Sequence, residues 1–147
     1  MRRRAPGKRQ AGAAAVEFAL VASLLFMLLF GIMEMSRMLF YWNTATEATR
    51  LGARIASVCA PDAAGIKGRM TALFPVIAAS DIKISYLPAG CSASDCRQVT
   101  VYIDKTETLD MAIPFVPLRL KLPSFSTTVP RESMQSSIAG VANPYCG

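Results

Sequence analysis

From Ala13 to Met33 the sequence AAAVEFALVASLLFMLLFGIM runs 21 residues with one charge, Glu17. Coiled as a helix, such a run is long enough to cross the hydrocarbon core of a bilayer, about 30 Å thick. A core helix of a soluble protein keeps one polar face, whereas here the stretches Ala19–Val21 and Leu24–Phe30 put apolar side chains on every side of the turn. Phe40, Tyr41 and Trp42 then fall together where the helix should emerge, as in the aromatic belt of a membrane–water interface.

Charge orients the span. Arg2, Arg3, Arg4, Lys8 and Arg9 precede the first acid, and they are five of the sixteen basic residues, which leaves 11 basic against 10 acidic in the rest. A basic cluster abutting an apolar run marks the side retained in the cytoplasm. With no basic face downstream, the net charge of +6 gives no reason to expect nucleic acid as a partner. Arg2-Arg3 lacks the surroundings of a twin-arginine signal. The N-terminus is therefore expected in the cytoplasm and everything after about Trp42 outside it, a compartment that four cysteines fit.

The helical pattern continues past the membrane. Asn43 to Val58 contains no Pro and a single Gly, so one helix from Ala13 to Val58 is expected, about 70 Å long at 1.5 Å per residue, with the membrane crossed by residues 13–36. Ala48, Gly52 and Ala56 recur every four residues and form a ridge of small side chains for close helix packing. Packing against the chain's own globular part is favoured over a dimer seam. Glu34 and Arg37, three apart, are placed to pair where the helix leaves the apolar layer.

A carboxylate at the centre of a membrane helix costs roughly 2.5–3.5 kcal/mol, and less near an interface. Glu17 therefore either reaches the headgroups and the helix N-terminus or finds a dedicated partner. Its surroundings favour neither on physics alone: a basic leader ends Gln10-Ala11-Gly12, small residues Ala13, Ala14 and Ala15 follow, and Glu17 stands five places after Gly12. This arrangement resembles the leader of type IV prepilins, which a membrane prepilin peptidase cuts after a glycine, with glutamate fifth in the mature chain. An ordinary signal peptide would instead place small residues after a shorter apolar core.

The resemblance extends from Gly12 to Val58, where Gly31, Glu34, Arg37 and the stretch Thr49-Arg50-Leu51-Gly52-Ala53-Arg54 are similar to the TadE-like family of tight-adherence pilus proteins. That resemblance implies a pseudopilin cleaved between Gly12 and Ala13. It also implies a new Ala13 amine that pairs with Glu17 of a neighbouring subunit, and partners among the prepilin peptidase and the other pilus subunits. Phe18 departs from the pattern, since the major fibre subunits carry tyrosine after the glutamate.

Residues 59–147 are expected to form an exported α+β domain. Pro61 and Asp62 break the long helix, and Ala63 to Ala79 reads as a second helix interrupted or ended near Pro75. Three strands follow by period-two alternation: Ile82, Ile84 and Tyr86; Val99, Val101 and Ile103; Leu118, Leu120 and Leu122. One apolar face on each argues for a small antiparallel sheet packed on a helix, a pilin-like architecture. The third strand sits in a proline-rich stretch and reads as an edge, and the tail from Arg131 reads as partly mobile. Cys59, Cys91, Cys96 and Cys146 allow three pairings; Cys91 with Cys96 and Cys59 with Cys146 are favoured, as structural bonds, over a zinc site.

The chain has no histidine, and with it go the commonest general base and the commonest metal ligand. No Ser/His/Asp set, phosphate loop or metal-spaced carboxylate cluster stands out, and Asp104, Glu107 and Asp110 read as a solvated turn. No catalytic residue, metal or cofactor is expected. The leading expectation is a non-catalytic minor pseudopilin of the bacterial inner membrane, acting in assembly of a tight-adherence secretion fibre and either staying in the membrane or joining the fibre. The alternative is a binding or adhesin module in the periplasm, held by an unprocessed single-span anchor. A membrane-bound hydrolase ranks last.

Overall fold

The computed structural model describes residues 10–61, 63–104, 108–110, 119–121 and 123–147. One helix dominates it. α1 runs from Gln10 to Val58, 49 residues, continuous through the apolar run and beyond it. Every residue from Gly12 to Met33 is exposed except the half-exposed Ala22. These 22 residues are about 33 Å of helix, close to the thickness of a hydrocarbon core. Polar side chains within and just below this stretch turn back on the helix: Ser23 Oγ donates to Leu20 O at 2.8 Å and Ser36 Oγ to Ile32 O at 2.8 Å. The basic residues Arg2 to Arg9 and Asp62 lie outside the described residues.

Below residue 33 the helix acquires one covered stripe, formed by Glu34, Ala45, Ala48, Gly52, Ala56 and their neighbours Thr49, Ala53 and Ile55. Two layers lie on it. α2, Ala64–Leu73, covers one side and a three-stranded antiparallel sheet the other. α2 stops where Pro75 forbids a further helical residue before it: Phe74 takes the extended conformation φ −129°, ψ 82°, while its N–H still reaches Met70 O at 2.9 Å.

The sheet has the order β1 (Ile82–Leu87), β2 (Gln98–Ile103), and a third strand, Phe125–Pro130. Its registers pair Ile84 with Val101 and Val101 with Thr127. Val99, Val101 and Ile103 of the central strand are buried with Ile82, Ile66, Met70, Phe74 and the alanines of α1, and together they are the core. The fold is α+β, a long apolar N-terminal helix with a small antiparallel sheet packed on its second half.

The third strand differs from expectation. Arg119–Lys121 is extended, but it pairs with Thr108–Asp110 in a separate two-stranded ribbon, Asp110 opposite Arg119, rather than joining the sheet. In chain order the ribbon strands are β3 and β4, and the sheet's third strand is β5. Leu118, Leu122 and Glu107 lie outside the described residues, and Asp110 belongs to a strand rather than a turn. β5 alternates Phe125, Thr127 and Val129 inward with Ser126, Thr128 and Pro130 outward, and its middle inward residue is polar. Thr127 is accommodated because its hydroxyl donates to Thr49 Oγ1 on α1 at 3.1 Å, and Thr49 in turn donates to Thr46 O at 2.9 Å.

The tail also departs from expectation. Its backbone binds the end of α1: Glu132 N–H reaches Ser57 O at 2.9 Å and Gln135 N–H reaches Val58 O at 2.8 Å. These carbonyls at a helix C-terminus have no intrahelical donors of their own. Met134 is fully buried between those bonds. A small hairpin, β6 (Ser137–Ile138) and β7 (Val141–Ala142), follows; its two-residue turn has φ 51° at Ala139 and 81° at Gly140, positive at both positions as a type I′ turn requires. Two disulfides, Cys59–Cys146 and Cys91–Cys96, join all four cysteines.

Candidate functional site

The residues singled out from sequence fall into two groups on α1. Gly12, Ala13 and Glu17 lie together at its exposed N-terminal end. Gln10 is the first described residue, and from it onward the backbone is helical, so the Gly12–Ala13 bond lies within helix. Among the described residues, nothing lies within 4 Å of a Cβ placed at Gly12.

Ala13 and Glu17 are four residues apart, one turn and about 6 Å along the axis. An amine freed at Ala13 would thus stand near the carboxylate of its own chain as well as a neighbour's. Glu17 is exposed on an otherwise apolar surface, about 25 Å along the axis from Glu34. With Glu34 at one edge of the hydrocarbon core, Glu17 falls within one turn of the other edge.

At the membrane exit Glu34 is 2% exposed between Met33 and Met35, which are 54% and 64% exposed. Its Oε1 accepts from Arg37 Nη2 at 3.1 Å, and the Arg37 guanidinium lies 5.9 Å from the Tyr41 ring centroid. The three aromatics expected as an interfacial belt divide their work. Phe40 is 64% exposed, Tyr41 packs on Phe74 at 6.1 Å, and Trp42 meets Phe125 edge-on at 5.6 Å. Two of the three are thus docking points for the globular head, each worth roughly 0.5–1.5 kcal/mol beyond its buried area.

The stripe of Ala48, Gly52 and Ala56 is filled from within the chain. A Cβ on Gly52 would fall on Met70 Sδ and lie 3.2 Å from Val101 Cγ1. In this arrangement the ridge seats α2 and β2, and it is closed to a second helix. Cys59, Cys91, Cys96 and Cys146 gather at no common point: the first and last bridge α1 to the tail, and the middle two close one loop. In that loop the Asp95 carboxylate is held below the usual carboxylate range by hydrogen bonds from Ser92 and Ser94, with the Arg131 charge adding to them.

Sequence reasoning missed Thr49, Thr127 and the capping backbone of 132–135. The pattern Phe-x-Thr-x-Val would have found β5; nothing in side-chain chemistry announces the cap.

A membrane-anchored protein with a compact head riding on a long helix is the class these features define. The helix is apolar over its first half and carries no cover there from the other described residues. Residues 12–54 match the model of the TadE-like protein family, so the span, the membrane exit and most of the head-binding stripe together are a TadE-like segment. The match supports a part in tight-adherence pilus assembly. No curated protein and no solved structure matches the chain.

Proposed function

We propose that this chain is a minor pseudopilin of a tight-adherence, type IVb-like secretion system, a non-catalytic assembly component whose α1 is held in the bacterial inner membrane. The N-terminus lies in the cytoplasm and the head in the periplasm. The prepilin peptidase cuts between Gly12 and Ala13, and Glu17 docks the freed amine of an adjoining pilus subunit. The observation that carries this reading is α1 itself: a span of hydrocarbon length, uncovered by any described residue from Gly12 to Met33, that belongs to the TadE-like match and bears one carboxylate near its N-terminal end.

Pairing in low dielectric explains why the carboxylate is there. A lone charge in lipid is costly, and an amine and a carboxylate brought together offset each other's desolvation. In a membrane crowded with like subunits, a neighbour's amine competes with the chain's own, one turn away. Pilus assembly in cells carrying Glu17→Gln tests the docking role. Loss of surface pili with normal levels of the variant in membranes is the expected result, and unchanged piliation would remove Glu17 from the mechanism.

A binding module on an unprocessed anchor has one observation in its favour, an open cleft of about 500 Å3 lined by Ala93 and by the polar residues Ser92, Ser94, Arg131, Glu132, Ser133 and Gln135. Substitution of Ser94 and Gln135 by Ala separates the readings: piliation and adhesion are both unaffected if the chain is an assembly component, and adhesion is lost with piliation intact if the cleft is its working part.

A further inference from the structure

The tail supplies both helices of the head with the hydrogen bonds their own sequences leave unmade. At the end of α1, Ser57 O accepts from the N–H of Glu132 at 2.9 Å and of Met134 at 3.3 Å, and Val58 O accepts from Gln135 N–H at 2.8 Å and Ser133 Oγ at 3.1 Å. Ala60 N–H, just past the helix, donates to Ser136 Oγ at 3.1 Å. At the start of α2, Ala63 offers no side-chain cap. There Gly65 N–H reaches Cys146 O at 3.4 Å, Arg69 Nη2 reaches Pro144 O at 3.4 Å, and the Arg69 guanidinium lies 5.3 Å from the Tyr145 ring centroid. Gly65 is small for this reason: a Cβ there would stand 2.7 Å from Tyr145 O and 2.9 Å from Cys146 C.

One covalent bond holds this strap, and it joins the first residue after α1 to the tail's far end. Cys59 and Cys146 are 87 residues apart, and Cys59 is fully buried. Cys91–Cys96, five residues apart, closes only its own loop. The sheet's hold on α1 is made by other residues than the strap's: Val101 beside Gly52, Thr127 bonded to Thr49, and Phe125 against Trp42.

We propose that Cys59–Cys146 is the latch of this strap: its closure by a thiol–disulfide oxidoreductase seats the tail on the ends of α1 and α2, and the sheet's hold on α1 does not depend on it. In closing, one thiolate of the pair attacks the oxidoreductase's disulfide to form a mixed disulfide, and the other thiolate then displaces the enzyme's sulfur. The enzyme leaves as a dithiol carrying the two electrons and two protons. Order is built into the spacing. Cys91 and Cys96 precede Cys146 in the chain, and their short closure is favoured over either one's longer closure to Cys59, which leaves Cys59 for Cys146. The enzyme's part rests on the head being exported; the latch itself does not.

Amide hydrogen exchange on the full chain in lipid nanodiscs tests the latch, comparing the wild type with the Cys59→Ser/Cys146→Ser and Cys91→Ser/Cys96→Ser double variants. Removing the long-range bond is expected to speed exchange at Glu132, Met134 and Gln135 on the order of a hundredfold, with β2 unchanged. Removing the short bond is expected to leave those amides as they were. Unchanged tail exchange, or equal loss of protection in β2, overturns the latch. Should the first variant fail to fold, the Cys91→Ser/Cys96→Ser variant with and without reductant, where only Cys59–Cys146 can open, is read by the same criteria. Thiol labelling in cells separates the other half: free thiols on the wild type, with the nanodisc result intact, would remove the oxidoreductase and the exported placement but not the latch.

Discussion

Replacing Gly52 by Leu strikes the point where α1, α2 and the sheet converge. The first added carbon already falls on Met70 Sδ and stands 3.2 Å from Val101 Cγ1, and both neighbours are fully buried. The remaining three carbons have nowhere to go unless α2 or β2 moves off the helix. Overpacking of this kind costs about 1–3 kcal/mol, occasionally more. Removing a helical glycine returns about 0.8 kcal/mol, so Gly52→Ala should be nearly neutral to about 2 kcal/mol destabilising, since the flexible end of Met70 can swing aside. Gly52→Leu should cost about 3 kcal/mol or more, a fall in Tm of roughly 10 °C or more for a head of this size.

Trp42 is the chain's single tryptophan and packs on Phe125, so its fluorescence in detergent micelles reports the docking of head on helix without interference from the apolar span. Arg50→Ala, on the exposed face of the same turn, is the control and should fall within about 0.5 kcal/mol of wild type. Should Gly52→Leu leave the Trp42 transition in place and change only self-association, the stripe would be a seam between copies and the head-packing account would be wrong.

Other expectations follow from the same contacts. Gly65→Ala meets backbone rather than a movable side chain, so it should release the tail and destabilise by about 2 kcal/mol, seen as faster exchange at Gln135 than at β2 amides. Thr49→Val removes the acceptor of the Thr127 hydroxyl in a buried setting and should cost on the order of 1 kcal/mol in urea unfolding, without moving the oligomeric state. Asp95 has a depressed pKa when folded. Its contribution is therefore complete above the ordinary aspartate value of about 3.9 and is lost as pH falls through the lower folded value. NMR shifts of Ser92 and Ser94 should hold steady from neutral pH to about 5 and change only below about 4; a midpoint above pH 5 would contradict the hydrogen-bonded carboxylate.

How much of this was legible beforehand depends on whether side chains or backbone do the work. The span could be read from Ala13 to Met33 because lipid demands apolar residues on every face, and β1 and β2 could be read because Ile82, Ile84, Val99 and Val101 alternate cleanly. β5 was hidden because its middle inward residue is Thr127, which qualifies for the core only through the hydroxyl of Thr49, a partner 78 residues away. The alternation of Leu118, Leu120 and Leu122 imitated a sheet strand, although period two does not say which neighbour a strand pairs with. The tail's cap is made by amides that every residue possesses, so its Ser- and Gly-containing sequence looked mobile. At the N-terminal end, Gly12 and Ala13 stood out by chemistry and spacing, while their helical backbone was visible only in three dimensions.

The mass and N-terminal sequence of the chain recovered from membranes of a cell that carries its prepilin peptidase bear most directly on the whole account. A mature chain beginning at Ala13, with the apolar span retained and the peptidase-deficient strain yielding the chain uncut at that bond, is the predicted result. An uncut chain in both strains, or one cut beyond the span near Trp42, would contradict it and leave α1 as a plain anchor or a discarded signal.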